Sequence, residues 1–148
     1  MTPCRTRFLL ADDDVDDLSL FCEAVCGIAP MMECLTVENG YELFDLLSNE
    51  DISRPDLIFL DINMPSMNGW ECLKKLRISP TYNVIPAIIY STSSAKKDID
   101  MAYNLGASLF LTKPEDFREL CSILEILAKN PPDSLLGGLN QFQNIKLN

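Results

Sequence analysis

Five short apolar runs, each followed by an amphipathic segment, constrain this chain more than any other feature. The runs are "FLLAD" (Phe8 to Asp12), "MECLTV" (Met32 to Val37), "DLIFLD" (Asp56 to Asp61), "AIIYS" (Ala87 to Ser91) and "SLFLT" (Ser108 to Thr112). Several are unbroken, as strands covered on both faces require. Between them lie segments near Asp16 to Cys26, Gly40 to Ser48, Gly69 to Ile78, Ala95 to Leu105 and Asp116 to Asn130, with apolar residues at three- and four-residue spacing. Leu120, Ile123, Leu124 and Leu127 make the clearest stripe. Five strand-then-helix units predict an α/β domain: a parallel sheet, right-handed crossovers and helices on both faces in three layers. Pro131 and Pro132 stop the last helix, and residues 131–148 read as a short C-terminal extension, too short for a second domain.

Open parallel sheets bind ligands beyond the carboxyl ends of their strands, where strand order reverses. Four of the five run ends carry polar groups: Asp12 and Asp13, Asp61, Ser91, and Lys113. If the order is 2-1-3-4-5, the reversal lies between strands one and three, and Asp12, Asp13 and Asp61 share one crevice. Their repulsion then calls for a cation. Oxygen donors with neither histidine nor thiolate suit a hard ion that keeps several waters, with Mg2+ the intracellular candidate. Plainer readings compete at each position. Asp14, Asp16 and Asp17 are expected to be a helix cap and first-turn acids. Asp12 and Asp13 alone fit a solvated loop, Ser91 a turn hydroxyl, and Lys113 a surface lysine; what favours a site is their recurrence at successive strand ends. In "TKP", a cis bond before Pro114 is one way to aim the Lys113 ammonium into the crevice.

Composition narrows the function. Twenty-two acids against 12 bases give a net charge of −10, which opposes binding to a nucleic-acid backbone. No stretch reaches the roughly 18 apolar residues a membrane span needs, and no secretory leader is evident, so a cytoplasmic protein is expected. Cys4, Cys22, Cys26, Cys34, Cys72 and Cys121 lack C-x-x-C spacing and read as reduced core thiols without a function. Trp70 reads as core. With no histidine, no G-x-x-x-x-G-K and no kinase-type glycine loop, the chain can hold neither a phosphohistidine nor an ordinary nucleoside triphosphate site.

"FLLADDD", "LIFLDINMPSMNGWE", "PAIIYSTSSAKKDI" and "GASLFLTKP" together resemble the receiver domain of two-component response regulators, over about residues 6–130. The resemblance implies the flavodoxin-like (βα)5 fold with strand order 2-1-3-4-5. It also implies that Asp61 is a phosphoacceptor, taking a phosphoryl group from a histidine kinase or histidine phosphotransfer protein. Asp13 matches the direct ligand of Mg2+, Asp12 the acid holding a metal-bound water, and the backbone carbonyl of Asn63 the remaining protein ligand. Lys113 and Ser91 match the groups that meet phosphoryl oxygens, and Ser91 with Phe110 the switch pair. Phosphoryl transfer needs alignment and neutralisation of equatorial charge, which one metal, one ammonium and one hydroxyl supply. Output to a downstream target protein is expected through the fourth and fifth helices and the strand between them, or onward to another histidine protein, from a monomer or a phosphorylation-dependent homodimer. No effector domain follows Pro132, so a stand-alone receiver is expected.

Phe110 stands where the family often has tyrosine, and Thr92 where a smaller residue is usual. Three rivals remain. An aspartate-nucleophile phosphatase needs a second aspartate two residues after the first, where this chain has Asn63; self-catalysed phosphorylation and dephosphorylation, not turnover, is therefore expected. A flavodoxin-type electron carrier needs a hydroxyl- and glycine-rich loop where this chain has "ADDDVDD". A degenerate receiver acting only as a phosphorylation-independent binding module is the third, and the intact set Asp61, Lys113 and Ser91 weighs against it.

Overall fold

The computed structural model describes residues 6–28 and 32–129. The apolar runs form β1 (Thr6–Ala11), β2 (Met32–Val37), β3 (Leu57–Leu60), β4 (Ala87–Ser91) and β5 (Leu109–Thr112). They alternate with α1 (Val15–Cys26), α2 (Gly40–Leu47), α3 (Gly69–Ile78), α4 (Lys96–Asn104) and α5 (Phe117–Lys129). Every strand pair is parallel, in the order β2-β1-β3-β4-β5. This is the doubly wound sheet that the alternation and the resemblance predict. The extension expected at 131–148 lies outside the described residues, as does Cys4.

Side chains alternate across the sheet and divide the core in two. Phe8, Leu10, Phe59 and Tyr90 face α1 and α5, where Phe21 packs edge-on against Phe59 with ring centres 4.9 Å apart. Leu9, Leu60, Ile89 and Phe110 face the other layer, against Leu43 of α2, Leu73 and Leu76 of α3, and Ala102 of α4. The edge strand β2 is half-buried from Met32 to Leu35, exposed at Thr36 and buried only at Val37. Trp70 is half-buried and packs against the second cluster, as expected. The cysteines meet the expectation only in part: Cys34 and Cys121 pack against the first cluster, and Cys72 lies within the second. Cys72 is buried, but Cys22, Cys34 and Cys121 are half-buried and Cys26 is exposed. Pattern alone cannot separate the inner face of an amphipathic helix from its margin.

The starts of α1, α2 and α3 are fixed by short polar side chains. Asp14 accepts the Asp16 and Asp17 amides, so α1 begins at Val15, one residue earlier than the apolar spacing indicates. Asn39 caps α2, and Asn68 with Glu71 forms a reciprocal capping box at α3. The loop from β3 to α3 is tight. Ser66 holds a left-handed φ of 69°, and the Gly69 amide donates to the Ile62 carbonyl at 2.9 Å. A Cβ on Gly69 would lie 2.2 Å from the Asp61 carbonyl oxygen, so glycine is required for α3 to start beneath that residue. Gly69→Ala should therefore destabilise the protein by about 2 kcal/mol or more, because backbone atoms must shift to admit the methyl group. Urea unfolding checks this, and a change within about 0.5 kcal/mol would show that the loop relaxes freely.

Candidate functional site

The parallel ladders place the acids. The Asp12 amide donates to the Val37 carbonyl at 3.0 Å and the Asp61 amide to the Ala11 carbonyl at 2.9 Å, which extends pairing one residue past the ends of β1 and β3. Because β1 and β3 are neighbours, the Asp12 and Asp61 side chains emerge into one crevice. One carboxylate oxygen from each of Asp12, Asp13 and Asp61 lies within 4.8 Å of the others. Asp12 and Asp61 are buried and Asp13 is exposed. On the far side of the crevice, the Lys113 amide donates to the Ser91 carbonyl at 2.7 Å, which sets the lysine just beyond β5.

Lys113 reaches back across the crevice. Its Nζ donates at 2.7 Å to Asp12 Oδ2 and at 2.7 Å to Asp17 Oδ2, and stands 3.8 Å from Asp61 Oδ2. The same nitrogen lies 5.5 Å from the centre of the Tyr90 ring. Asp12 Oδ1 also accepts the Asp14 amide, and Asp61 Oδ1 its own neighbour's amide at Ile62, both at 2.9 Å. Asp61 Oδ2 thus faces the lysine.

Burial pushes the Asp61 carboxyl up to about 7, with Lys113 pulling downward and the neighbouring Asp12 adding to the rise. Burial pulls the Lys113 ammonium downward, but its hydrogen bonds to Asp12 and Asp17 carry it net upward. The lysine stays charged throughout the neutral range. Three carboxylates meet one ammonium and a fourth, Asp13, stands beside two of them, so the site is short of positive charge. Its donors, all oxygens without imidazole or thiolate, fit a hard divalent cation.

The structure brings together Asp12, Asp13, Asp61 and Lys113. Ser91, 2% exposed, ends β4 beside them, with its Oγ accepting the Ser93 amide at 3.1 Å. Asn63 is exposed in the loop two residues after Asp61. Phe110 is buried in the cluster that includes Ala102 of α4, and its amide donates to Tyr103 Oη at 3.3 Å. No peptide bond is cis among the described residues, so Lys113-Pro114 is trans. The lysine needs no such bond, because its long side chain spans the crevice from an ordinary backbone. Asp17 was not visible as a site residue. It is the first-turn acid expected, its amide bonded to Asp14, yet it also holds Lys113. Only its place before the inward Leu18 hints at this.

The sequence model described as "Response regulator receiver domain" matches residues 8–125, and the chain belongs to that family, the receivers of two-component signalling. Among curated proteins it is similar to the response regulator Rcp1 of Synechocystis, 27% identical over 121 residues, covering 79% of this chain and 82% of that protein. Among solved structures it resembles the phosphorylated cyanobacterial phytochrome response regulator RcpA, 31% identical with a TM-score of 0.76, covering 84% of this chain and 92% of RcpA. The Mn2+-bound form of Rcp1 aligns with a TM-score of 0.69 at 27% identity, over 81% of this chain and 89% of that one.

A carboxyl whose folded pKa is raised favours the folded state below its ordinary value of 3.8 and loses that contribution as pH climbs to about 7. Above that, charged Asp61 costs stability. Asp61→Asn should therefore stabilise the metal-free protein at pH 8 by roughly 2 kcal/mol, with much less effect at pH 4; the charged site relaxes and takes up water, so the gain falls short of the full shift. Denaturant melts in chelator at the two pH values measure the difference, and an equal effect at both would contradict the assignment.

Proposed function

We propose that this receiver is a phosphoacceptor, with Asp61 the residue that takes the phosphoryl group. One observation carries the reading: Asp61 shares a crevice with the acidic pair Asp12 and Asp13, and one of its oxygens lies 3.8 Å from the ammonium of Lys113. The donor is a phosphohistidine on a histidine kinase or histidine phosphotransfer protein. An Asp61 oxygen attacks phosphorus, the P–N bond breaks, and its electron pair leaves with the imidazole, which takes up a proton. The product is an acyl phosphate on Asp61. Lys113 is near enough to meet an equatorial oxygen of the incoming group without leaving the crevice, and Ser91 supplies a hydroxyl from the end of β4.

Asp13, Asp12, Asp61 and the carbonyl of Asn63 would hold Mg2+, which when bound neutralises charge on the transferring phosphoryl oxygens. The charge shortage of the cluster supports this, as does the Mn2+-bound Rcp1 of similar fold. A cation there also opposes the burial that raises Asp61, keeping its carboxylate ionised for attack. The chain acts as a signalling protein whose only reactions are its own phosphorylation and dephosphorylation. Its output is a protein contact: phosphorylation biases Ser91 and Phe110 between two arrangements and alters α4, β5 and the start of α5 for a downstream target. The unit responsible is residues 6–130. Among the described residues no helix is long and apolar enough to cross a membrane.

Incubation with acetyl phosphate and Mg2+, followed by intact mass measurement, tests the assignment. Wild type should gain one phosphoryl group, chelator should abolish the gain, and Asp61→Asn should not label. Labelling of Asp61→Asn at the wild-type level would place the acceptor elsewhere, and no labelling of wild type would favour a silent binding module.

A further inference from the structure

Away from the acidic crevice, two thiols meet. Cys22 lies midway along α1 and Cys34 on the edge strand β2, paired in register with Phe8 of β1. Their sulfurs are 2.6 Å apart, across twelve positions of sequence. Both residues are half-buried, at the margin where α1 crosses an edge strand with a single neighbour, so a small solute can reach them. The other described cysteines differ. Cys72 is buried in the opposite layer, Cys121 is half-buried on α5, and Cys26 is exposed one turn beyond Cys22. Among the described residues only Cys22 and Cys34 have facing sulfurs.

The shared hydrogen bond makes the pair unequal. It draws the Cys22 thiol downward against a smaller upward effect of burial, while the same bond, burial and the nearby Cys22 and Cys26 sulfurs push Cys34 far upward. A hydrogen bond shared between two thiols favours loss of one proton from the pair, since the remaining one bridges both sulfurs.

We propose that Cys22 and Cys34 form an oxidation site that a peroxide closes to a reversible intramolecular disulfide. The Cys22 thiolate attacks one peroxide oxygen; the O–O bond breaks, and with one proton a water leaves, giving a sulfenic acid. The Cys34 sulfur then attacks the Cys22 sulfur, the S–O bond breaks, and the departing hydroxide takes the Cys34 proton to leave as a second water. Two thiols lose two electrons and two hydrogens in all, and the peroxide is reduced to two waters. A dithiol reductant returns both. The bond fastens α1, the helix that carries Asp17, to the edge of the sheet, and closes a short loop that restricts the unfolded chain.

Full-length protein is treated with hydrogen peroxide at low concentration, quenched with an alkylating agent, and followed by intact mass and non-reducing peptide mapping. Oxidised wild type should take up two fewer alkyl groups than untreated protein, one peptide pair should be joined through Cys22 and Cys34, and dithiothreitol should reverse both. The oxidised form should melt higher by several degrees, on the order of 5 °C. Cys22→Ser and Cys34→Ser should show neither the link nor the shift. The wild-type peptide map decides the matter even if a variant does not fold. Oxidation at Cys26 alone, a dimer linked through Cys26, or the same linkage formed equally fast in denatured protein would each overturn the proposal.

Discussion

Everything in the crevice depends on one imbalance: Asp12, Asp17 and Asp61 converge on a single ammonium, that of Lys113, and Asp13 adds a fourth carboxylate beside Asp12 and Asp61. Two carboxylates about 4 Å apart repel by roughly 4 kcal/mol at an effective dielectric near 20, before water and proton uptake relieve part of it. The sheet imposes that closeness. Phe8 through Ala11 and Leu57 through Leu60 are fully or almost fully buried, so β1 and β3 cannot slide apart without opening the core. Burial of the strands thus holds the acids against their own repulsion, and Lys113 answers only part of it. Burial is what chiefly raises the Asp61 carboxyl, and the neighbouring Asp12 adds to it.

The surrounding loops maintain this arrangement with little freedom. Gly69 lets α3 begin directly under the Asp61 carbonyl, and the Asn68 and Glu71 capping box fixes where that helix starts. On the far layer, Arg77 Nε donates to the Gly106 carbonyl at 2.7 Å, and its Nη1 to the Asn83 and Ile85 carbonyls at 3.2 and 3.0 Å. It ties the approaches to β4 and β5 together, and those strands present Ser91 and Lys113. The hydroxyl and ammonium are thereby set on the same rigid scaffold as the acids, as a site that aligns a phosphoryl group requires.

Much of this was legible in the sequence because the strands are apolar runs ending in polar residues. The runs place Asp12, Asp61, Ser91 and Lys113 within a residue of where the strands end, and the glycines and asparagines mark the turns between. Strand order came from resemblance and not from periodicity. What stayed hidden was contact between separate elements. Asp17 caps a helix in any fold, so its pairing with Lys113 has no signature along the chain. Tyr90 reads simply as the middle of an apolar strand, and its ring under the lysine follows only from the pleat. Likewise, Cys22 and Cys34 look like ordinary members of two apolar patterns until α1 is laid against β2.

The central claim is that these acids are a strained cation site and not a solvated cap. Thermal melts of wild type and Asp13→Asn, each in chelator and in about 10 mM Mg2+, test it most directly, since a site of few carboxylates is expected to bind weakly. Without metal, Asp13→Asn should be more stable than wild type by roughly 1 kcal/mol, or about 2 to 4 °C, because one repelling charge is gone. With Mg2+, wild type should gain on the order of 1.4 kcal/mol at ten times the dissociation constant, and the variant little. A variant that is less stable than wild type in chelator, or that gains as much from Mg2+, would contradict the claim.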